Sequence, residues 1–369
     1  MSDFMMEPKP KGTRTGFTTG ANATACVSAA LRVLLGGPEE ATVTIRLPEG
    51  QKPQFSLLWT RRDEDSVSCA TIKDGGDDPD VTHGAEIRAM VRLNHLKGQV
   101  RFFKGEGVGE VTKPGLGLEI GGPAINPVPR QMMTEHALER LQEYGREDEG
   151  VDITVSVKDG EAIARKTLNG RLGIVGGISI LGRTGIVYPY SNAAYIASIE
   201  QGIEVAVHQG ATEVFLTTGG LTEDLAIKMR PDLDESAFVQ MGDHVGKALE
   251  HCKKLGVPKV VLVGQIGKVS KLANGQLHTH ARKSEVNMQL MADLAKAAGA
   301  DGAEVAEILG ANTARHVLEM GAGKAWQAPF IHALCAQAAK VASDSIAAAC
   351  KVESWLFDFD GKLIGKAEI

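Results

Sequence analysis

Hydrophobic and polar positions change their rhythm near residues 185–195, and that change divides the chain. Before it, short alternating runs predict strands at 42–47, 54–60 and 66–72, then at 85–96, 99–103 and 151–157. Between them a helix should open at Thr19 or Asn22, run through 23–35 and stop at Gly36-Gly37-Pro38. A second helix is predicted over 127–144, where Met132, Met133, Ala137, Leu138 and Leu141 recur at helical spacing behind Pro127 and Pro129. Residues 1–16 are polar and read as a loose arm, and 174–181 is an apolar run between glycines.

After the change, helical periodicity covers 193–209, 235–255, 283–298, 303–309 and 325–351. The segments 213–218, 257–264 and 353–359 read as short buried strands. Strands alternating with helices predict a parallel sheet covered on both faces. The expected class is therefore α/β with two domains. A strand-rich α+β domain spans 1–190 and a Rossmann-like α/β domain spans 191–369. At 369 residues the chain is long enough for two separate cores.

Composition narrows the function. The formal charge of −6 argues against a general nucleic-acid binder or a protein held on anionic lipid. An anionic ligand must then be met by local, placed donors. Five dispersed cysteines without a C-x-x-C pair read as reduced thiols, which points to the cytoplasm. No apolar run reaches membrane-spanning length, and Met1–Gly12 lacks the apolar centre of a secretory leader.

Four stretches carry candidate chemistry. Arg14, Thr18, Thr19, Gly20 and Asn22 surround a helix start and read as an anion nest, or else as a plain cap. The loop 73–84 packs Lys73, Asp74, Asp77, Asp78 and His83 together. Crowded carboxylates there would raise some pKa values and suit proton transfer, or the aspartates simply make a turn. Its spacing fails for an EF-hand, because the twelfth position from Asp74 is Ala85. The third stretch holds Gly105, Gly107 and Gly109, followed by Lys113, Asn126 and Arg130. Its glycine spacing is not the Rossmann fingerprint, and the arginine suits either a ligand carboxylate or a helix-entry salt bridge.

In the second half, Thr217, Thr218, Gly219 and Gly220 end one strand while Gly264 and Gly267 follow another. Those are the ends at which open α/β sheets bind ligands. Lys268 is followed by Val269 and the glycine spacing is short, so a phosphate loop is rejected. His278 and His280 lack an evident third ligand, and no metal is expected.

Several of these motifs are distinctive: TRTGFTTGA at 13–21, KDGGDDPDVTHGA at 73–85, GEGVGEVTKPGL at 105–116, PAINPVPR at 123–130 and GISILGRTGIV at 177–187. Together they resemble the CbiD family of cobalt-precorrin-5B C1-methyltransferases, in order from about residue 13 to about residue 345. The resemblance implies a two-domain α/β enzyme that transfers a methyl group from S-adenosylmethionine to ring carbon 1 of a corrin precursor in cobalamin biosynthesis. Cobalt enters only as part of the substrate.

On that reading, His83 with Asp77 and Asp78 is the expected acid/base group. The expected substrate contacts are Arg14, Thr18, Thr19, Gly20, Asn22, Lys73, Asp74, Lys113, Asn126 and Arg130. The methyl donor is expected at Gly105, Gly107 and Gly109, or at Thr217, Thr218, Gly219, Gly220, Gly264 and Gly267. The substrate is expected on the first domain and the donor on the second. A homodimer is a further expectation, and neither nucleic acid nor membrane is an expected partner. The rival readings are an acid/base enzyme on a small carboxylate and a non-catalytic tetrapyrrole carrier.

Overall fold

A computed structural model describes residues 13–369 of the chain, so most of the arm expected over 1–16 lies outside the described residues. The chain separates into two compact units, Met1–Ser191 and Asn192–Ile369. Both mix helices with sheets, the α/β class that the periodicity implies.

The first unit is built on a five-stranded sheet. In chain order its strands are β1 (Trp59–Arg62), β2 (Ser66–Ile72), β3 (Glu86–Asn94), β4 (Val100–Lys104) and β5 (Gly150–Val157). Their spatial order is β1-β2-β3-β5-β4, antiparallel except for the parallel β4–β5 pair. Alternation sets which face is covered. Ile87, Ala89 and Val91 of β3 are buried, while Arg88 and Met90 between them are less so.

The buried face meets α1 (Thr19–Leu34) and α2 (Pro127–Glu143). Within α1, Ala21, Ala23, Ala25, Ala29 and Ala30 are all buried. Their small side chains let the helix approach both the sheet and α2 closely. Its polar residues satisfy one another inside the core: the Thr24 hydroxyl donates to the Gly20 carbonyl at 2.8 Å.

The second unit holds a sheet of β6 (Glu213–Thr217), β7 (Phe238–Gln240), β8 (Lys259–Gln265), β9 (Lys351–Phe357) and β10 (Leu363–Glu368). The spatial order is β7-β6-β8-β9-β10, with the first four strands parallel and β10 antiparallel. Helix α3 (Asn192–His208) leads into β6, after which the chain enters α4 (Gly220–Met229). Next come α5 (Val245–Lys254), and, after β8, α6 (Ile266–Ala273). Then follow α7 (Met288–Ala297), α8 (Gly302–Leu309), α9 (Ala314–Met320) and α10 (Gln327–Ser345).

Because β7 and β8 flank β6 on opposite sides, the strand order reverses at β6. Ala226 of α4 packs on one sheet face with Phe215, Val263 and Trp355. Ile266, Val269 and Leu272 of α6 pack on the other with Val214, Leu216 and Leu262. The β6 and β8 carboxyl ends therefore open a crevice between two diverging helices, the switch point of a doubly wound sheet.

The helix expected over 235–255 is a correction. That stretch holds a 3-10 turn at Glu235–Ala237, then β7, and only then α5. Three residues are too few to show alternation, and pairing with β6 supplies their order. Strand β10, which the pattern did not predict, adds an antiparallel edge.

Candidate functional site

In the first unit the chain crosses itself at one point. Residues 14–17 and 74–77 lie backbone against backbone, with the Phe17 N–H donating to Asp74 O at 2.7 Å and the Asp77 N–H to Arg14 O at 2.9 Å. A Cβ on Gly16 would sit 2.1 Å from the Gly75 carbonyl carbon, so glycine is required there. The side chains then brace the crossing. Arg14 pairs both guanidinium ends with Asp74, one at 2.9 Å, and its N–H donates to Asp77 Oδ2 at 2.6 Å. Asp78 Oδ1 accepts the Tyr190 N–H at 3.0 Å.

Beneath this loop Lys73 is buried, 1% exposed, and its ammonium meets Asp80 Oδ2 at 2.6 Å. Asp80 Oδ1 accepts from both the N–H and the hydroxyl of Thr82. Burial pushes the Asp80 carboxyl up, but Lys73 and Thr82 outweigh it and hold it below its ordinary value. The Arg14 guanidinium, with the Gly76 N–H, brings Asp74 down to about 2. The expectation of carboxylates raised by crowding is thus corrected at Asp74 and Asp80, since each has its own cation. His83 is half exposed, and its Nδ1 accepts the Gly75 N–H at 3.0 Å. The lone pair it would need as a base at that nitrogen is engaged.

At the start of α1, which reads as a nest or a plain cap, the side chains bond within the protein. Thr18 caps the helix by accepting the Ala21 N–H at 3.2 Å. Gly20 donates its N–H to Leu181 O, and Thr19 donates to that carbonyl and accepts the Leu181 N–H at 2.9 Å. Asn22 bonds Thr18 O and accepts from Thr71 at 3.0 Å. Thr18, Thr19 and Asn22 are buried, so the donors that an anion needs are already used inside the protein.

Arg130 contacts backbone carbonyls at the helix entry in place of the expected salt bridge. It donates Nε to Ile125 O at 2.8 Å and a terminal nitrogen to Pro123 O at 3.2 Å, and lies over the Phe102 ring. Lys113 is half-buried against Gly173. Asn126 precedes α2, yet its amide makes no capping bond.

Two sets of glycines behave in opposite ways. A Cβ at Gly105 would lie 2.0 Å from Ser156 Oγ, at Gly107 2.0 Å from Val157 O and at Gly109 2.2 Å from Ile174 Cγ2. Close packing of chain on chain accounts for all three, so their composition gives no argument for a cofactor loop. At the switch-point crevice, a Cβ on Gly219 or Gly267 would meet nothing within 4 Å, and on Gly220 only the Gln240 amide at 3.8 Å. Gly264 is tighter, 3.2 Å from Thr218 and Val269 side-chain carbons.

Around that crevice, α4 and α6 both begin without a side-chain cap. The Thr217 hydroxyl is fully buried and has no hydrogen-bond partner among the described residues. Thr218, Met241, Val245, Gly264, Lys268 and Thr279 line the opening. Lys268 fixes its shape, donating to Thr218 O at 2.9 Å and pairing with Asp243 at 3.2 Å, which in turn accepts from Thr279. Sequence reasoning missed Asp243, because nothing in its local pattern shows that it meets Lys268. His278 packs edge-on against His244 with ring centres 4.8 Å apart. Among the described residues no group of three His, Cys, Asp or Glu side chains gathers to hold a metal ion.

Comparison with known proteins decides the family. The CbiD family model matches residues 6–189, and the model of the CbiD C-terminal domain matches 278–368. A cobalt-precorrin-5B C(1)-methyltransferase of Burkholderia pseudomallei strain K96243 is 46% identical over 360 residues, covering 97% of this chain and 98% of that protein. This chain belongs to the CbiD family. A relative of the same name from Geobacillus kaustophilus strain HTA426 is 46% identical over 362 residues, 98% of this chain and 96% of that one. A crystal structure of a cobalamin biosynthesis protein, CbiD from Archaeoglobus fulgidus, is 27% identical and covers 73% of this chain and 84% of its own, with a TM-score of 0.40. The braced loop at 73–84 lies inside the first CbiD match and the histidines at 278 and 280 inside the second. Loops 217–220 and 264–267 fall between the two. Among the described residues of this CbiD chain, no helix is long and apolar enough to cross a membrane.

Proposed function

We infer that this chain methylates ring carbon 1 of cobalt-precorrin-5B, using S-adenosylmethionine, as a step of cobalamin biosynthesis. What supports the reaction is near-full-length identity of 46% to relatives that carry that name. The donor's place is our own reading and rests on one observation: at the switch point, the Cα faces of Gly219 and Gly267 are open where every expected glycine of the first unit is packed.

These residues fit an adenosyl donor. Bare Cα atoms let a ligand approach the backbone, and two uncapped helix starts leave N–H groups pointing at it. When bound, the donor supplies a methyl group on a positively charged sulfur. The chain's own work is to hold donor and carbon nucleophile in line and away from water, an arrangement that can supply roughly 7–11 kcal/mol of the barrier. Lys268 contributes by tying Thr218 to Asp243, so both walls of the crevice keep one spacing. We place the anionic corrin precursor on the first unit, where the Asn126 amide makes no capping bond to α2.

The test is calorimetric titration with S-adenosylhomocysteine, alone and with a corrin-type ligand present, followed by turnover on cobalt-precorrin-5B. One site per chain and methylated product are expected. A blank in both titrations, with no product, sinks the reading.

A further inference from the structure

We infer that Gln240 recognises a ribose hydroxyl of the adenosyl donor through its amide oxygen, and that Glu223 is the positioning residue that turns this oxygen outward. The inference rests on the donor's place at the β6–β8 crevice and goes one step further, to the atom that recognises it.

The strand register gathers the polar groups. Pairing of β6 with β7 sets Phe215 beside Phe238 and Thr217 beside Gln240. Both phenylalanines pack on the α4 face of the sheet, and side chains two residues further on return to the same face. Thr217 and Gln240 therefore face α4 at the carboxyl ends of their strands, where open sheets take ligands. From the first turn of α4 comes Glu223, 1% exposed, whose Oε2 accepts the Gln240 Nε2–H at 2.6 Å. A carboxylate can only accept, so the nitrogen of the Gln240 amide faces Glu223 and the oxygen faces away.

Gln240 itself is half-buried, and among the described residues nothing donates to its Oε1. Its amide lies against the open turn: Nε2 is 3.8 Å from the point where a Gly220 Cβ would be, and a Cβ on Gly219 would meet nothing. Gln240 follows that turn by about 20 residues, the spacing at which doubly wound dinucleotide folds place the side chain that bonds a ribose hydroxyl. Thr217 is an independent sign. Its hydroxyl is fully buried on this same face with no hydrogen-bond partner among the described residues, and a plain core rarely leaves such a group unsatisfied. Charge then selects the partner's chemistry. Tyr195, whose hydroxyl lies 3.4 Å from Gln240 O, has its phenol pushed up by burial and by the carboxylates of Asp243 and Glu223. In that field a ligand carboxylate is disfavoured and a group that donates is suited. The donor molecule offers two such groups, its ribose hydroxyls and its ammonium, and the spacing from the glycine turn favours the ribose.

The test is calorimetric titration of the full chain, with the corrin-type ligand present, using four probes: S-adenosylhomocysteine, its 2′-deoxy and 3′-deoxy analogues, and 5′-methylthioadenosine, which keeps the ribose and lacks the ammonium. The parent should bind one deoxy analogue about 3- to 10-fold more weakly than S-adenosylhomocysteine, the weight of one neutral hydrogen bond. Gln240→Met, which nearly keeps the volume, should lose that same factor with S-adenosylhomocysteine and with 5′-methylthioadenosine, and lose nothing with that deoxy analogue. Glu223→Gln can donate as well as accept, so it frees the Gln240 amide to turn and should narrow the gap between the hydroxyl-bearing and deoxy ligands. A merely structural Glu223 would weaken all four ligands alike. Three results overturn the proposal and leave the donor in the crevice: deoxy analogues that bind the parent as well as S-adenosylhomocysteine does, an undiminished affinity in Gln240→Met, or a Gln240→Met loss that vanishes with 5′-methylthioadenosine, which would mean a contact to the ammonium. Failure of the parent to bind S-adenosylhomocysteine at all removes the donor reading and this proposal together.

Discussion

Lys73 and Asp80 meet at 2.6 Å but from unlike surroundings, the lysine 1% exposed and the aspartate 24%. Removing either partner is therefore not symmetric. Asp80→Asn leaves a buried ammonium uncompensated and should cost about 3 kcal/mol. Lys73→Met leaves a carboxylate that water can reach, and should cost less. The double variant should recover part of the Asp80→Asn loss. Urea unfolding midpoints of the three variants check this order, and equal losses for both singles would refute it.

Acid should loosen the same loop. Asp74 is held at about 2 by Arg14 and the Gly76 N–H, and Asp80 is also depressed. A carboxyl whose folded pKa lies below its unfolded value contributes stability that is complete above the unfolded value, near 4, and lost as pH falls toward the folded one. For Asp74 the window runs from about pH 4 to about pH 2. Arg14→Gln should flatten the pH dependence of the unfolding midpoint across that window. An unchanged slope would show that the pair contributes nothing to linkage.

How much of this was legible in the sequence depends on whether the determining contact is local. The helix expected to open at Thr19 or Asn22 and run through residue 35 exists as Thr19–Leu34, because its alanines and its threonine cap are sequence neighbours. Strands β6 and β8 were legible as short apolar runs. Strand β7 was not, since Phe238–Gln240 owes its form to β6. The candidate site divides along the same line. Loop 73–84 announces itself by composition, but the partners of its aspartates, Arg14 and Tyr190, are distant in sequence. Glycine is ambiguous in principle, because close packing and ligand approach both demand a missing Cβ. Only the three-dimensional surroundings of Gly107 and Gly219 tell the two demands apart.

Thr19 should prove structural. Its hydroxyl joins α1 to Leu181 through both the N–H and the carbonyl of that residue. Thr19→Val keeps the shape, removes both bonds and strands a partly buried N–H, so a loss of about 1–3 kcal/mol is expected. S-adenosylhomocysteine affinity and KM for the macrocycle should stay within twofold of the parent. A KM rise of tenfold or more without a change in unfolding midpoint would restore Thr19 as a substrate contact.

The two glycine sets give the sharpest contrast. At Gly107 the backbone has φ +69° and a Cβ would meet Val157 O at 2.0 Å, so Gly107→Ala combines strain with a backbone clash. It should cost more than about 3 kcal/mol and lower the yield of folded protein. Gly219 is extended, with φ 167°, a conformation open to any residue, and faces empty space. Gly219→Val should leave stability within about 0.5 kcal/mol of the parent. Its side chain would occupy the space that we assign to the methyl donor, and S-adenosylhomocysteine binding should weaken at least tenfold, or about 1.4 kcal/mol. Thermal unfolding and calorimetric titration of both variants separate packing from binding. Unchanged affinity in Gly219→Val would move the donor out of the β6–β8 crevice, whatever the fate of Gly107→Ala.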